Sequence, residues 1–270
     1  MADVIVLGGA SAAPNPGQGC SGYLIRLGNA QIVLDLGPGT LLELRRHTRL
    51  ERIDAIVISH MHVDHILDLV ALWWGWLYHP VSLPKPIPLY LPPGGSERLH
   101  RILATFGRED EADRFFTDIC SVAEYDPAQM LTIADVTVRF APTVHFIPCW
   151  AVRLESAAGI VAYTADTGPT ADLMPLARDT DLLIAEAMLV PELAGDSENR
   201  GSSTAAEASQ LAHDADAKRL ILTHRWAEDD AEDALDAAKQ IFDGPVQLAE
   251  RGLTVSWSPS CRALYRTPNT

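Results

Sequence analysis

Along the chain, short apolar runs alternate with helical patterns and with glycine- and proline-rich breaks, the punctuation of an α/β protein. Residues 4–7 form a first strand-like run, followed by a Gly, Ala and Pro-rich segment from 8 to 19. That segment is too long and too broken by proline for a dinucleotide-binding fingerprint, which needs strand, glycine turn and helix in direct succession. Residues 23–27 and 31–36 are strand-like and meet at Gly28-Asn29, a dipeptide suited to a hairpin. A helical pattern over 40–46 leads to a compact apolar strand at 53–59, which stops at His60. Residues 66–78 are helical and dense in Leu and Trp. The next stretch, 79–96, holds six prolines and two glycines and reads as a loop or extended excursion. A charged helix is expected over 97–116, broken near Gly107, with irregular chain over 123–131. Further strands are expected at 132–141, 149–154, 160–164, 182–185 and 220–223. Helices are expected at 204–215 and 231–240, and one or two closing strands within 246–257.

One pattern occurs twice. IVLDLGPG at 32–39 is echoed by IVAYTADTGP at 160–169, each an apolar strand, an aspartate at or just past its end, then Gly-Pro. Strands ending in SHMHVDH and in THRW, each followed by helix, continue the theme. Two α/β halves facing each other would produce this echo, with sheets packed between helices.

Composition narrows the partners. Of 270 residues, 47 % are hydrophobic and 21 % charged, enough apolar surface for a substantial core. The net charge is -15, and only Lys85, Lys218 and Lys239 are lysine. A face that tracks a long nucleic acid needs clustered basic residues, so the acid excess argues against one. A small anion held through a metal remains compatible, because a bound ion inverts the local field. The four cysteines (Cys20, Cys120, Cys149, Cys261) have no CxxC spacing and read as free thiols of a reducing compartment. The amino terminus lacks a basic segment ahead of its apolar run, and no apolar stretch reaches bilayer length. A cytoplasmic protein that does not insert in a membrane is expected.

Chemistry-bearing side chains sit at strand ends. His60-Met61-His62-Val63-Asp64-His65 places three imidazoles and a carboxylate within six residues. Neutral imidazole and carboxylate oxygen suit zinc and related divalent ions. On a turn, His60 and His62 can converge on one ion while Asp64 and His65, at a helix start, reach a second. His145, Asp166 and His224 occupy comparable strand-end positions. His47, His79, His100 and His213 do not.

The HxHxDH motif, the later His, the Asp of a TGDTGP-like stretch and the final strand-end His together resemble the metallo-β-lactamase fold superfamily. That resemblance implies a four-layer αββα sandwich, with residues 1–270 as one domain and a proline-rich, helical excursion at about 79–122. It implies that His60, His62 and His145 hold a first metal, that Asp64, His65 and His224 hold a second, and that Asp166 bridges them. Two divalent metal ions are therefore expected, zinc foremost, with manganese or iron as alternatives. All seven positions are filled, which favours a hydrolytic site over a binding relative without turnover.

Within the superfamily the chain is similar to the branch of ribonuclease Z and related phosphodiesterases, in GGASAAPNPGQGCSGYLIR, LDLGPGT, YTADTGP and LILTH. It departs from the tRNA 3′-end endonucleases at their GHST-like motif. Gly201-Ser202-Ser203-Thr204 puts Ser202 where their histidine would assist the scissile phosphate. The segment after the metal motif reads ILDLVALWWGWL instead of a glycine-rich GLPGLL-like run, and no long basic arm is evident. The expected function is thus a binuclear hydrolase of a small phosphodiester or related ester, by attack of metal-bound hydroxide that Asp64 orients. Lactone, carboxylic ester or lactam hydrolysis is the alternative, since it uses the same metals. Glu186 is expected to hold a ligand histidine, or else to be a capping or surface carboxylate. Ser202 has no base beside it to make it a nucleophile. On a helix, Trp73 and Trp76 share one face, and Trp74 and Tyr78 another. These tryptophans are read as core or homodimer contacts, or as an apolar wall for a planar or lipophilic substrate portion, which Trp150 and Trp226 would extend.

Overall fold

The computed structural model describes residues 2–80, 83–191, 195 and 200–258. Strands apolar on both faces can persist only when covered on both sides. β1 (Ala2–Ala10) is of this kind and is buried at every position. The hairpin of β3 (Gly22–Leu27) and β4 (Ala30–Leu34) closes through Gly28-Asn29, with Gly28 at φ 61. A left-handed first loop residue is what a two-residue type II′ turn requires.

The first sheet has the order β15 (Thr254–Trp257), β1, β3, β4, β5 (Ala55–Val57), β6 (Ile87–Leu91), β7 (Cys120–Glu124), with β2 (Gly19–Cys20) paired to β1. The second runs β14 (Val246–Leu248), β13 (Leu220–Thr223), β12 (Leu182–Glu186), β11 (Gly159–Tyr163), β10 (Trp150–Ser156), β9 (Val136–Pro142), β8 (Leu131–Ile133). In each sheet an antiparallel pair, β3/β4 or β10/β11, is continued by three parallel strands. The sequence echo is therefore structural: DLGPG follows β4, and ADTGP follows β11 at the matching place.

Three apolar clusters mark three interfaces between four layers. The first, with Val4, Ile25, Ile32, Val152, Val161 and Ile184, lies between the sheets. The second sits under α1 (Thr40–His47), α3 (Asp68–Leu77) and α4 (Gly95–Phe106), where Leu44, Leu72 and Leu99 meet Ile5 and Val33. The third joins Ala162 and Leu183 to α6 (Met174–Ala177), α7 (Ala205–Asp214) and α8 (Ala231–Lys239). This is the αββα sandwich. Among the described residues, no helix is long and apolar enough to cross a membrane.

Some expectations change in detail. Residues 79–96 contain β6, a strand within the sheet, because Ile87, Leu89 and Leu91 alternate inward. Pro88 is accommodated because β5 pairs β6 only at Leu89 and Tyr90. The chain expected to be irregular after 123 begins inside β7. The single strand expected at 132–141 is a hairpin, β8 and β9, turning at left-handed Ala134. The helix expected from 66 is two pieces, α2 (Val63–Ile66) and α3. Cys20, Cys120 and Cys149 are free and buried, and burial pushes the Cys20 thiol up to about 12. Cys261 lies outside the described residues.

Candidate metal centre

The ends of β4, β5, β11, β12 and β13 converge, and the side chains beyond them meet. His60, His62, His145 and Asp166 form one group of ligand atoms, and Asp64, His65, Asp166 and His224 a second, each spanning no more than 4.8 Å. Asp166 belongs to both. In the first group His62 Nδ1 lies 3.0 Å from both His60 Nε2 and His145 Nε2, and Asp166 Oδ2 lies 3.7 Å from the latter two. In the second, His65 Nε2 is 3.3 Å from Asp166 Oδ1, and His224 Nε2 is 3.0 Å from Asp64 Oδ2. Ligands about 2.1 Å from a tetrahedral zinc stand roughly 3.4 Å apart, so these spacings match a coordination shell.

The far side of each ring decides what the near side offers. His145 Nδ1 donates to Gly201 O at 2.7 Å, and His65 Nδ1 to Asp35 Oδ2 at 2.7 Å. The Ser59 hydroxyl donates to Asp35 Oδ2 at 2.8 Å and accepts from His60 Nδ1 at 3.0 Å. His224 Nδ1 faces Glu186 Oε1 at 3.3 Å. With their outer nitrogens protonated, His60 and His145 aim lone pairs at His62 Nδ1, which can donate to only one of them. His65 Nε2 and Asp166 Oδ1 are likewise buried without a hydrogen-bond partner. A divalent cation in each group satisfies all of these atoms, so the residues fit the ions.

Electrostatics separates the two groups. Burial, then the neighbouring His65, pulls His60 well below the usual imidazole range. Burial and His145 lower His62 as well. In the second group burial also opposes charge, but the carboxylates win. Asp166 and Asp35 hold His65 well above its usual value, and Asp166 and Asp64 lift His224 to about 10. Asp64 and Asp166 are held far below the carboxylate range in spite of burial, chiefly through His224 and His65. Glu186, fully enclosed, is raised by that burial to about 7. Its Oε2 accepts from Thr167 N at 2.6 Å and Ser203 N at 3.3 Å, so it is neither a helix cap nor a surface carboxylate.

Two glycines allow the close approach. A Cβ on Gly37 would collide with Asp64 O, and one on Gly168 with Arg200 O. Asp35 (φ 56), Ala165 (φ 53) and His224 (φ 59) are left-handed although none is glycine. Asp35 is the residue that pattern reading did not assign. It is fully buried and also accepts from Ser59 N at 2.7 Å and Tyr163 OH at 3.0 Å. The available signal was its place in the repeated Asp-x-Gly-Pro motif.

The remaining candidates make other contacts. Trp73 is completely buried in the helix-side core and donates to Glu111 O at 2.9 Å. Trp76 stacks on His79 at 4.8 Å and lies under Arg45, while Trp74 is half exposed beside Tyr78. Trp150 meets Tyr125 edge-on at 6.0 Å. Ser202 is buried, with its Oγ toward Met188 Sδ at 3.4 Å. Phe146 borders the centre, 75 % exposed and 5.2 Å from the His145 ring. His47, His100 and His213 each pair with a nearby carboxylate elsewhere.

Comparison with known proteins agrees with this geometry. A family profile described as "Beta-lactamase superfamily domain" matches residues 30–225. The probable metallo-hydrolase YhfI of Bacillus subtilis is 29 % identical over 253 residues, covering 92 % of this chain and 97 % of its own. Its crystal structure, described as a metallo-β-lactamase fold protein, superimposes with TM-score 0.81, covering 94 % of this chain and 98 % of the other. The uncharacterised protein Rv1339 of Mycobacterium tuberculosis is 31 % identical over 246 residues, or 90 % of this chain and 88 % of that one. The short form of human tRNase Z shares the fold with TM-score 0.72 at 24 % identity, covering 94 % of this chain and 98 % of that one.

Proposed function

The chain belongs to the metallo-β-lactamase superfamily, and from that premise we propose that it hydrolyses a small phosphodiester or related ester at a binuclear metal centre. The observation that carries this is the pair of donor groups sharing Asp166. His60, His62 and His145 would hold one ion, Asp64, His65 and His224 the other, with Asp166 common to both. Two divalent cations there supply Lewis-acid stabilisation of developing oxyanion charge and make water acidic enough to react near neutral pH. Five imidazoles and two carboxylates favour zinc, with manganese or iron also compatible with the donor set. Asp64 Oδ2 accepts from Ala12 N at 3.0 Å, which fixes the carboxylate so that it would orient the attacking water. Asp35 and Glu186 hold the imidazoles in register from behind.

The similarity to a probable metallo-hydrolase and to tRNase Z supports hydrolysis, and the latter supports phosphoester chemistry. The net charge of -15 and Ser202 in place of a histidine favour a small substrate over precursor tRNA. Exposed Phe146 on the rim supplies an apolar contact for it. Three buried free thiols support a cytoplasmic location, and the shared core between the sheets supports reading residues 1–270 as one domain.

Metal analysis should find about two divalent ions per chain. A panel of bis-p-nitrophenyl phosphate, cyclic nucleotides, lactones and precursor tRNA should give turnover on the phosphodiesters. Asp166→Ala should lose ions and turnover together. An active, metal-free protein would overturn the proposal, and turnover confined to lactones would replace phosphoester with carbonyl chemistry.

A further inference from the structure

In a chain with this acid excess, five of the eighteen arginines line one cavity of about 410 Å³: Arg26, Arg45, Arg46, Arg49 and Arg52. No Asp or Glu lines it. Arg45, Arg46 and His47 close α1, where cations complement the helix dipole. The dipole does not account for Arg49 and Arg52, which lie beyond the helix, or for Arg26, which comes from β3.

The carboxylates nearby are few and already shared. Glu43 serves His47 at 2.9 Å, Arg46 at 3.5 Å and Arg251 at 3.3 Å. Asp3 lies 3.6 Å from Arg26, and Glu51 3.7 Å from Arg49. Asp54 is occupied by Gln31 N at 2.8 Å. Among the described residues Arg52 has no ion-pair partner, and Arg45 has only the face of Trp76, 5.7 Å away.

The neutral lining is arranged for donation too. Thr48 Oγ1 donates to Gln31 Oε1 at 2.8 Å, which uses the amide oxygen and leaves its NH2 group to donate. The His47 carbonyl is consumed by Arg26 Nη2 at 2.8 Å. The cavity thus presents several guanidinium forks and an amide donor, with its nearest acceptors taken. The geometry points to a second, non-catalytic site for a small polyphosphate anion such as a nucleoside diphosphate. Guanidinium groups match phosphate oxygens two at a time, and arginines spread over β3, α1 and the turn beyond it are too widely placed for one phosphate group.

This site is separate from the metal centre. Gln31 lies near the start of β4, whereas Asp35 follows its end, about 13 Å further along a strand rising roughly 3.3 Å per residue. The cavity therefore opens at the opposite end of the parallel strands from the catalytic loops.

Isothermal titration of ADP, and separately of inorganic phosphate, into the metal-loaded protein tests this. ADP should bind at least about tenfold more tightly than phosphate, and equally well to a His62→Ala variant. The exposed-residue variant Arg49→Ala/Arg52→Ala should weaken ADP at least about tenfold while diester turnover is unchanged. Equal affinity for ADP and phosphate, affinity within twofold of wild type in the double variant, or loss of ADP binding in His62→Ala would each overturn the assignment.

Discussion

Replacing Asp35 by Asn tests whether the centre is held together from behind. The substitution keeps the shape, and Asn tolerates the left-handed backbone at this position (φ 56). It does not keep the acceptor count. Asp35 Oδ2 accepts from His65 Nδ1, Ser59 Oγ and Tyr163 OH, and Oδ1 accepts from Ser59 N. Whichever way the amide is turned, its NH2 faces a buried donor. One unmatched buried donor costs about 1–3 kcal/mol, and loss of the charge weakens the other bonds, giving a total of about 2–4 kcal/mol. For a chain of this size that corresponds to a fall of roughly 5–15 °C in Tm. The larger effect should be on metal. Asp35 orients His65 directly and His60 through Ser59, so both groups lose a fixed imidazole, and affinity should fall about 10–100-fold. Chelator competition measures the affinity, and calorimetry of the metal-free proteins isolates the stability. Asp54→Asn, whose carboxylate takes only Gln31 N, is the control. An Asp35→Asn protein that holds both ions within threefold of wild-type affinity would refute the reasoning.

Metal uptake should release protons. His224 reaches about 10 because Asp166 and Asp64 outweigh burial, and His65 is raised as well. Folded values above the unfolded 6.5 mean that these pairs stabilise the metal-free protein fully below pH 6.5 and progressively less as pH rises towards 10. Metal affinity should therefore increase across that window, and calorimetry in buffers of different ionisation heat should detect the proton; pH-independent binding would contradict the pairing. Trp73→Ala should cost about 3–5 kcal/mol in denaturant melts, whereas Trp74→Ala should cost under about 1 kcal/mol. Equal losses would mean that Trp73 is not the core residue its burial implies. Phe146→Ala should raise KM for aryl phosphodiesters about 3–10-fold with kcat little changed, and an unaltered KM would remove Phe146 from the substrate rim.

The legible parts of the sequence were those in which a local pattern has a local cause. The apolar strands, the Gly28-Asn29 turn and the Thr204-led helix follow from burial, turn chemistry and capping, and Thr204 does cap through Glu207 N. The hexad and the three strand-end residues were legible because ligand chemistry needs those residue types whatever their neighbours. β6 was hidden by Pro88 and the prolines that flank it, since the cost of a proline in a strand depends on which partner strand lies opposite its missing N–H. Trp74 and Trp73 are adjacent and chemically alike, and only the packing of Trp73 against Gly107 and Glu111 distinguishes a buried ring from a half-exposed one. Asp35 is an ordinary aspartate in the text of the chain. Its role depends on Ser59, His65 and Tyr163 arriving from three other segments.

The two donor groups are unequal in a way that follows from the same arrangement. The first sheet supplies His60, His62, Asp64 and His65, and the second supplies His145, Asp166 and His224, so ions in either group tie the two halves together. The second group has two carboxylates against two imidazoles, and protons on His65 and His224 can stand in for a cation. The first has three imidazoles, with burial opposing the charged form of His60 and His62, and only a share of Asp166, so nothing in it replaces the ion. The echo between the halves thus positions the donors alike without making the sites alike. Placement comes from the repeated strand-end geometry, while the difference comes from Asp64, which the first half contributes to the group where His224 of the second half completes the shell.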